Sequence, residues 1–180
     1  MDESPMSSIK EIEEVRIGIM GSVDSGKCFI EGTKVLMGDY TTKVIEDIKP
    51  GEYVMGMDLT PRYVNACSNG KARLFSITSF GNVIYIVNVN HILTLYDTLK
   101  GEIVDLPVGK FGFMDDSSRA RYKGIRITYK DGKIVSKTYH PVDIIIRDHV
   151  ENYYGLDLSG NKRFLLSDGT VVHNSTLTGV

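Results

Sequence analysis

Two groups of reactive residue types stand far apart in the chain. The first is Lys27-Cys28 and the second is His173-Asn174-Ser175. A cysteine thiolate is a strong nucleophile near neutral pH. Cys28 can therefore attack the carbonyl of Lys27 and turn that amide into a thioester. The Ser175 hydroxyl can attack such a thioester and take the N-terminal segment onto itself. Asn174 can attack its own backbone carbonyl through its side-chain amide, cutting the chain as a succinimide forms. His173 is placed to assist that step as a proton donor or by polarising the carbonyl. The amine freed on Ser175 would then convert the ester into an ordinary peptide bond. Taken singly, each residue has a plainer use. A buried Cys is usually inert packing, and a His-Asn pair near a chain end is usually surface.

The place where these residues fall lifts the set above its members. Gly21-Ser22-Val23-Asp24-Ser25-Gly26-Lys27 follows an apolar run, Val15–Met20, that reads as a buried strand. It carries the G-x-x-x-x-G-K of a phosphate-binding loop. In such a loop backbone N–H groups wrap the phosphates, the Lys reaches the β- and γ-phosphates, and a following Ser or Thr hydroxyl binds Mg²⁺. Here the next residue is Cys28, and no helical pattern follows. The missing residues stand at the other end, where Ser175-Thr176 begins a stretch that reads as helix through Val180. Joining Lys27 to Ser175 completes the motif across 147 intervening residues (174 − 28 + 1). The joined form, G-x-V-D-x-G-K-S-T, resembles translational GTPases of the elongation-factor class. In the joined chain alone, Gly21, Asp24, Gly26, Lys27, Ser175 and Thr176 would meet GTP and Mg²⁺.

The texture of the sequence changes at Cys28. Beyond it, β-branched and aromatic runs recur, such as Val83–Val87, Ile125–Tyr129 and Val142–Ile146. They are separated by turn pairs: Asn69-Gly70, Gly81-Asn82, Lys100-Gly101, Asp131-Gly132, Ser159-Gly160 and Asp168-Gly169. Only Pro107–Phe111 suggests a short helix. No β-α-β alternation follows residue 28, so the segment is expected to be all-β. A short helical turn is expected near Ile9–Glu14. Three units follow: 1–27, a strand with the first part of the phosphate loop; 28–174, the β domain; and 175–180, the rest of the loop.

The residues at the edges of the β domain match those of the intein family, within the hedgehog–intein (Hint) fold. Cys28-Phe29-Ile30-Glu31-Gly32-Thr33-Lys34-Val35 resembles the family's N-terminal block, C-x-x-x-G-T-x-V. Val44–Val54 is similar to the segment that follows it. Asn88-Val89-Asn90-His91 sits where the family has T-x-x-H, and the resemblance implies that His91 helps activate the Lys27–Cys28 amide, with Asn88 in place of the Thr. Tyr153–Leu158 and Arg163–Leu166 resemble the penultimate block, in which Gly155 stands where many members have Asp and Asp157 is the nearby carboxylate. Val171–Ser175 resembles the C-terminal block. The family implies a β horseshoe with both junctions at its centre and splicing without a cofactor. No homing-endonuclease motif is present, and Leu99–Ala120 is the linker where an endonuclease would sit. Two other readings stay open: a Hint domain that cleaves without ligating, and a GTP-binding module with a β insertion.

Composition narrows the partners. The net charge of −2 gives no electrostatic case for nucleic acid or a membrane surface. No stretch is apolar enough to span a bilayer. Two cysteines, Cys28 and Cys67, do not make a disulfide framework, so a reducing cytoplasmic setting is expected. A monomer acting on itself is the simplest assembly. His140 and His149 lack metal-ligand spacing and no metal site is expected. Cys67 is expected to be packed or half-exposed. Tyr53, Tyr85, Tyr129 and Tyr139 are expected in the core. Lys110, Asp115, Asp116, Arg119 and Arg121 are expected in a solvated loop.

Overall fold

The computed structural model describes residues 28–174. The expected strand at 15–20, the turn near 9–14, the loop residues Gly21, Asp24, Gly26 and Lys27, and the segment holding Ser175 and Thr176 lie outside the described residues.

Strands dominate. β1 (Cys28–Ile30), β2 (Lys34–Leu36), β3 (Thr42–Val44) and β4 (Tyr53–Met55) are short. β5 (Pro61–Ser79) is long, followed by β6 (Asn82–Val87), β7 (Ile92–Asp97) and β8 (Glu102–Pro107). Helices α1 (Val108–Gly112) and α2 (Asp116–Ala120) lead into β9 (Tyr122–Lys130) and β10 (Lys133–His140). The second long strand, β11 (Asp143–Leu158), is followed by β12 (Arg163–Leu165) and β13 (Val171–His173). α1 falls where the sequence indicates a helix.

The two long strands organise the molecule. β5 and β11 pair antiparallel from Thr78–Asp143 to Val64–Leu158. β1 lies on the other edge of β11 and also pairs with β6 through Phe29 and Val87, while β6 pairs with β5. The four strands β11, β1, β6 and β5 thus close on one another, and the shortest of them carries Cys28.

One expected turn does not exist. Asn69-Gly70 lies inside β5, opposite Tyr154 and Tyr153. The Tyr153 ring covers Gly70 so closely that a Cβ there would strike it. Pairing along β11 and this aromatic cover outweigh the weak strand preference of Asn and Gly. Asp131-Gly132 does form a tight turn, with positive φ at both residues (52° and 74°). The turn at Gly81 is centred one residue earlier than expected, on Phe80 and Gly81.

The main core gathers Phe29, Val54, Phe75, Ile77, Val87, Leu93, Phe111, Leu156, Phe164 and Val172. A second cluster holds Leu36, Met55, Ile125, Leu165 and Val171. Of the four tyrosines expected in the core, Tyr85 is there. Tyr129 packs partly against the second cluster. Tyr53 and Tyr139 are exposed, covered on one face by Tyr63 and Tyr96. The tract expected as solvated loop is ordered. Asp115 caps α2 by accepting from the Ser118 N–H (2.8 Å). Arg121 forms a two-pronged pair with the buried carboxylate of Asp97, both contacts 2.7 Å. That guanidinium, with the N–H groups of Lys100 and Leu99, holds the Asp97 carboxyl down at about 2.

Candidate active site

Cys28 opens β1 and is fully buried. Its place is set by sheet pairing, since it sits across from Gly155 on β11. Its backbone is held on a second side by the loop after β6. The Cys28 N–H donates to Asn88 Oδ1 (3.1 Å), and the Asn88 N–H donates to the Cys28 carbonyl (3.1 Å). One residue therefore grips both polar groups of Cys28. The N–H belongs to the Lys27–Cys28 amide, so Asn88 touches the bond itself.

Asn88 also begins the turn that delivers His91. The His91 N–H donates to the Asn88 carbonyl (3.1 Å), and the His91 carbonyl accepts from Val108 at the start of α1 (3.0 Å). The imidazole is fully buried. Its ring meets Phe29 edge-on at 4.8 Å and Tyr85 at 6.2 Å between centroids. Because Phe29 directly follows Cys28, this packing ties the ring to the strand that carries the thiol.

The second half-site lies on β13. Arg163 pairs with His173, Phe164 with Val172 and Leu165 with Val171. The connecting turn depends on Gly169, whose φ is +87° and whose carbonyl accepts from Ile127 (2.8 Å). Asn174 follows β13 and is fully buried. Its N–H donates to the Lys162 carbonyl (2.7 Å). Its own carbonyl lies 2.8 Å from His173 Nδ1, an N–H donor to that oxygen in the matching tautomer. The Asn174 carboxamide is buried and finds no hydrogen-bond partner among the described residues. A buried carboxamide with no partner among the described residues is unusual in stable packing.

The half-sites meet through two rings. Phe29, beside His91, packs edge-on against Phe164 at 5.8 Å, and Phe164 pairs with Val172 just before His173. Asp157 does not join them. It lies two residues beyond Gly155 on β11 and faces Lys162 Nζ at 4.0 Å. Strand geometry carries it about 7 Å from the row that contains Cys28. Lys27 and Ser175 lie outside the described residues.

Two neighbours of the site carry no mark in the sequence. Ser68 Oγ is 3.8 Å from Cys28 Sγ. It adjoins Asn69-Gly70, and the turn expected there conceals it. The Lys162 carbonyl is a backbone group with no sequence signal. The weaker candidates stand apart. Cys67 is exposed and its thiol donates to the Ile48 carbonyl (3.3 Å), with burial pushing its titration up. His140 lies against Gly124, its titration lowered mainly by burial, and His149 is paired at the surface with Asp148. Among the described residues no group of three His, Cys, Asp or Glu is gathered that could hold a metal. Among them, too, no helix is long and apolar enough to cross a membrane.

Residues 28–103 match the family described as Hom_end-associated Hint. Solved structures agree over a longer span. A variant of the gp41-1 intein is 19% identical, with a TM-score of 0.58 over 83% of this chain and all of that one. The DnaB intein from Synechocystis sp. PCC 6803 is 12% identical, with a TM-score of 0.60 over 83% and 99%. The bacterial intein-like domain from Clostridium thermocellum is 17% identical, with a TM-score of 0.55 over 82% and 98%. The chain has the Hint fold. Its Hint architecture explains why three-residue strands at the two ends of the described segment both lie inside: each is a stave of the core rather than a fringe.

Proposed function

We propose that the chain is a mini-intein precursor that excises residues 28–174 and joins Lys27 to Ser175. Cys28 Sγ attacks the Lys27 carbonyl carbon. The C–N bond to Cys28 breaks, and the thiol proton ends on the freed amine. Ser175 Oγ then takes the acyl group, and Cys28 recovers its thiol. Asn174 Nδ2 attacks its own carbonyl, the bond to Ser175 breaks, and a succinimide remains on the excised domain. The Ser175 amine finally captures the acyl group from its own oxygen. Each molecule acts once, on itself, with no cofactor.

The observation that carries this reading is the state of Asn174: its carbonyl is 2.8 Å from His173 Nδ1 and its carboxamide is buried without a partner among the described residues. His91 passes the Cys28 thiol proton to the departing amine at the first junction, and Asn88 holds that amide in place. The rejoined sequence regains the G-x-x-x-x-G-K-S-T loop of a translational GTPase. In the precursor the Lys leads into a β strand, so no helix N-terminus stands behind the phosphates. Splicing would therefore switch on binding of GTP with Mg²⁺.

Incubating the purified chain and weighing the products tests this. The expected products are a ligated 33-mer (27 + 6 residues) and the excised domain. Separate 27- and 6-residue pieces would replace splicing with cleavage alone, and an unchanged mass would remove both.

A further inference from the structure

We propose that Ser68 is a positioning residue for the Cys28 thiol, reaching it across Gly155. This rests on the splicing reading for its purpose, but the contact itself stands on geometry. Three strands lie side by side, with Ser68 on β5, Gly155 on β11 and Cys28 on β1 in one row. Strands are spaced about 4.8 Å apart, so residues on the two outer strands are separated by about twice that. Their side chains can meet only if the middle residue places nothing between them. Gly155 places nothing there, and Cys28 Sγ and Ser68 Oγ come within 3.8 Å, inside hydrogen-bond reach for sulfur.

The surroundings give that contact weight. Cys28 shares a core cluster with Ala72, Leu74 and Tyr153, an apolar setting that disfavours a thiolate. Ser68 brings a hydroxyl to it. In the resting chain the contact, in which either group can donate, fixes the direction of the sulfur. When the thiol proton leaves for the Cys28 amine, the hydroxyl turns and donates to the sulfur. No proton is transferred to Ser68, and no other reactant is needed. Gly155 is thus the opening through which a neighbouring strand serves the nucleophile.

The test uses the full chain carrying Cys67→Ser and Asn174→Ala, with ¹³C-labelled cysteine. The Cys28 Cβ shift is followed against pH, and release of residues 1–27 by added thiol is timed. A hydrogen bond to the charged form lowers the titration point, so Ser68→Ala should raise the midpoint by about one pH unit and slow release about tenfold. Ser68→Thr keeps the hydroxyl and should restore most of both. An unchanged midpoint in Ser68→Ala overturns the proposal, as does a shift that Ser68→Thr repeats in full, because lost packing then explains it. A moved midpoint in a chain that added thiol never cleaves keeps the Ser68 contact and removes the splicing reading instead.

Discussion

At the scale of single residues, the two bonds that the splicing proposal breaks are held by different means. The first is gripped through Asn88, whose side chain and backbone bracket Cys28. Asn88→Ala leaves the backbone contact and deletes the Oδ1 acceptor. It should slow thiol-induced release of residues 1–27 about tenfold, roughly the worth of one hydrogen bond to a poised amide. Cleavage after Asn174 should be unaffected, and equal slowing at both ends in timed gels would mean a general loss of structure. The second bond depends on His173 Nδ1 at the Asn174 carbonyl. His173→Ala in a Cys28→Ala background should lower the rate of cleavage before Ser175 by about 10²- to 10⁴-fold, the usual range for a positioned proton donor. A wild-type rate, measured by the mass of the released C-terminal piece, would dismiss the imidazole from this step. Much of the candidate site is legible in the sequence because the proposed chemistry needs rare residue types at fixed places. Ser68 is not, since a serine on a strand carries no such mark.

At the scale of elements, turns and capped pairs decide where the reactive residues point. Gly169 bends β12 back into β13, and a Cβ there would strike the Ile127 carbonyl at a φ of +87°. Gly169→Ala combines a left-handed alanine with a backbone clash. It should cost at least about 2 kcal/mol, read as a lower urea midpoint with unchanged slope. The Asp97–Arg121 pair joins the end of β7 to the start of β9. Because the folded carboxyl titrates at about 2, below its ordinary 3.8, its contribution is present above about pH 4 and fades as pH falls toward 2. Asp97→Asn should therefore be less stable than wild type at neutral pH, with the gap closing in acid. A gap that persists at pH 2 in thermal melts would assign the loss to packing. Sequence pattern locates strands such as Val83–Val87 and Ile125–Tyr129, where β-branched residues cluster. It misplaces a turn at Asn69-Gly70 because local preference carries no knowledge of Tyr153, which lies more than eighty positions further along and covers that glycine.

At the scale of the whole molecule, all-β character is readable from turn spacing and strand composition, but closure is not. That β1 should be a stave between β11 and β6 follows from pairings across the length of the domain. The principal core runs from Phe29 to Val172. The excised domain should therefore unfold with the same urea slope as a Cys28→Ala, Asn174→Ala precursor, with midpoints agreeing within experimental scatter. A markedly smaller slope would mean that residues outside 28–174 belong to the core. The pairing of Cys28 with Gly155 also sets an order in time. A chain is made from its N-terminus, so Cys28 emerges 127 residues before its partner strand (155 − 28). At about 5–20 residues per second that is a wait of roughly 6–25 s. Throughout it, the contact across Gly155 does not exist to shape the thiol. If the chain splices as proposed, the row that places the thiol is therefore incomplete until Gly155 has been made.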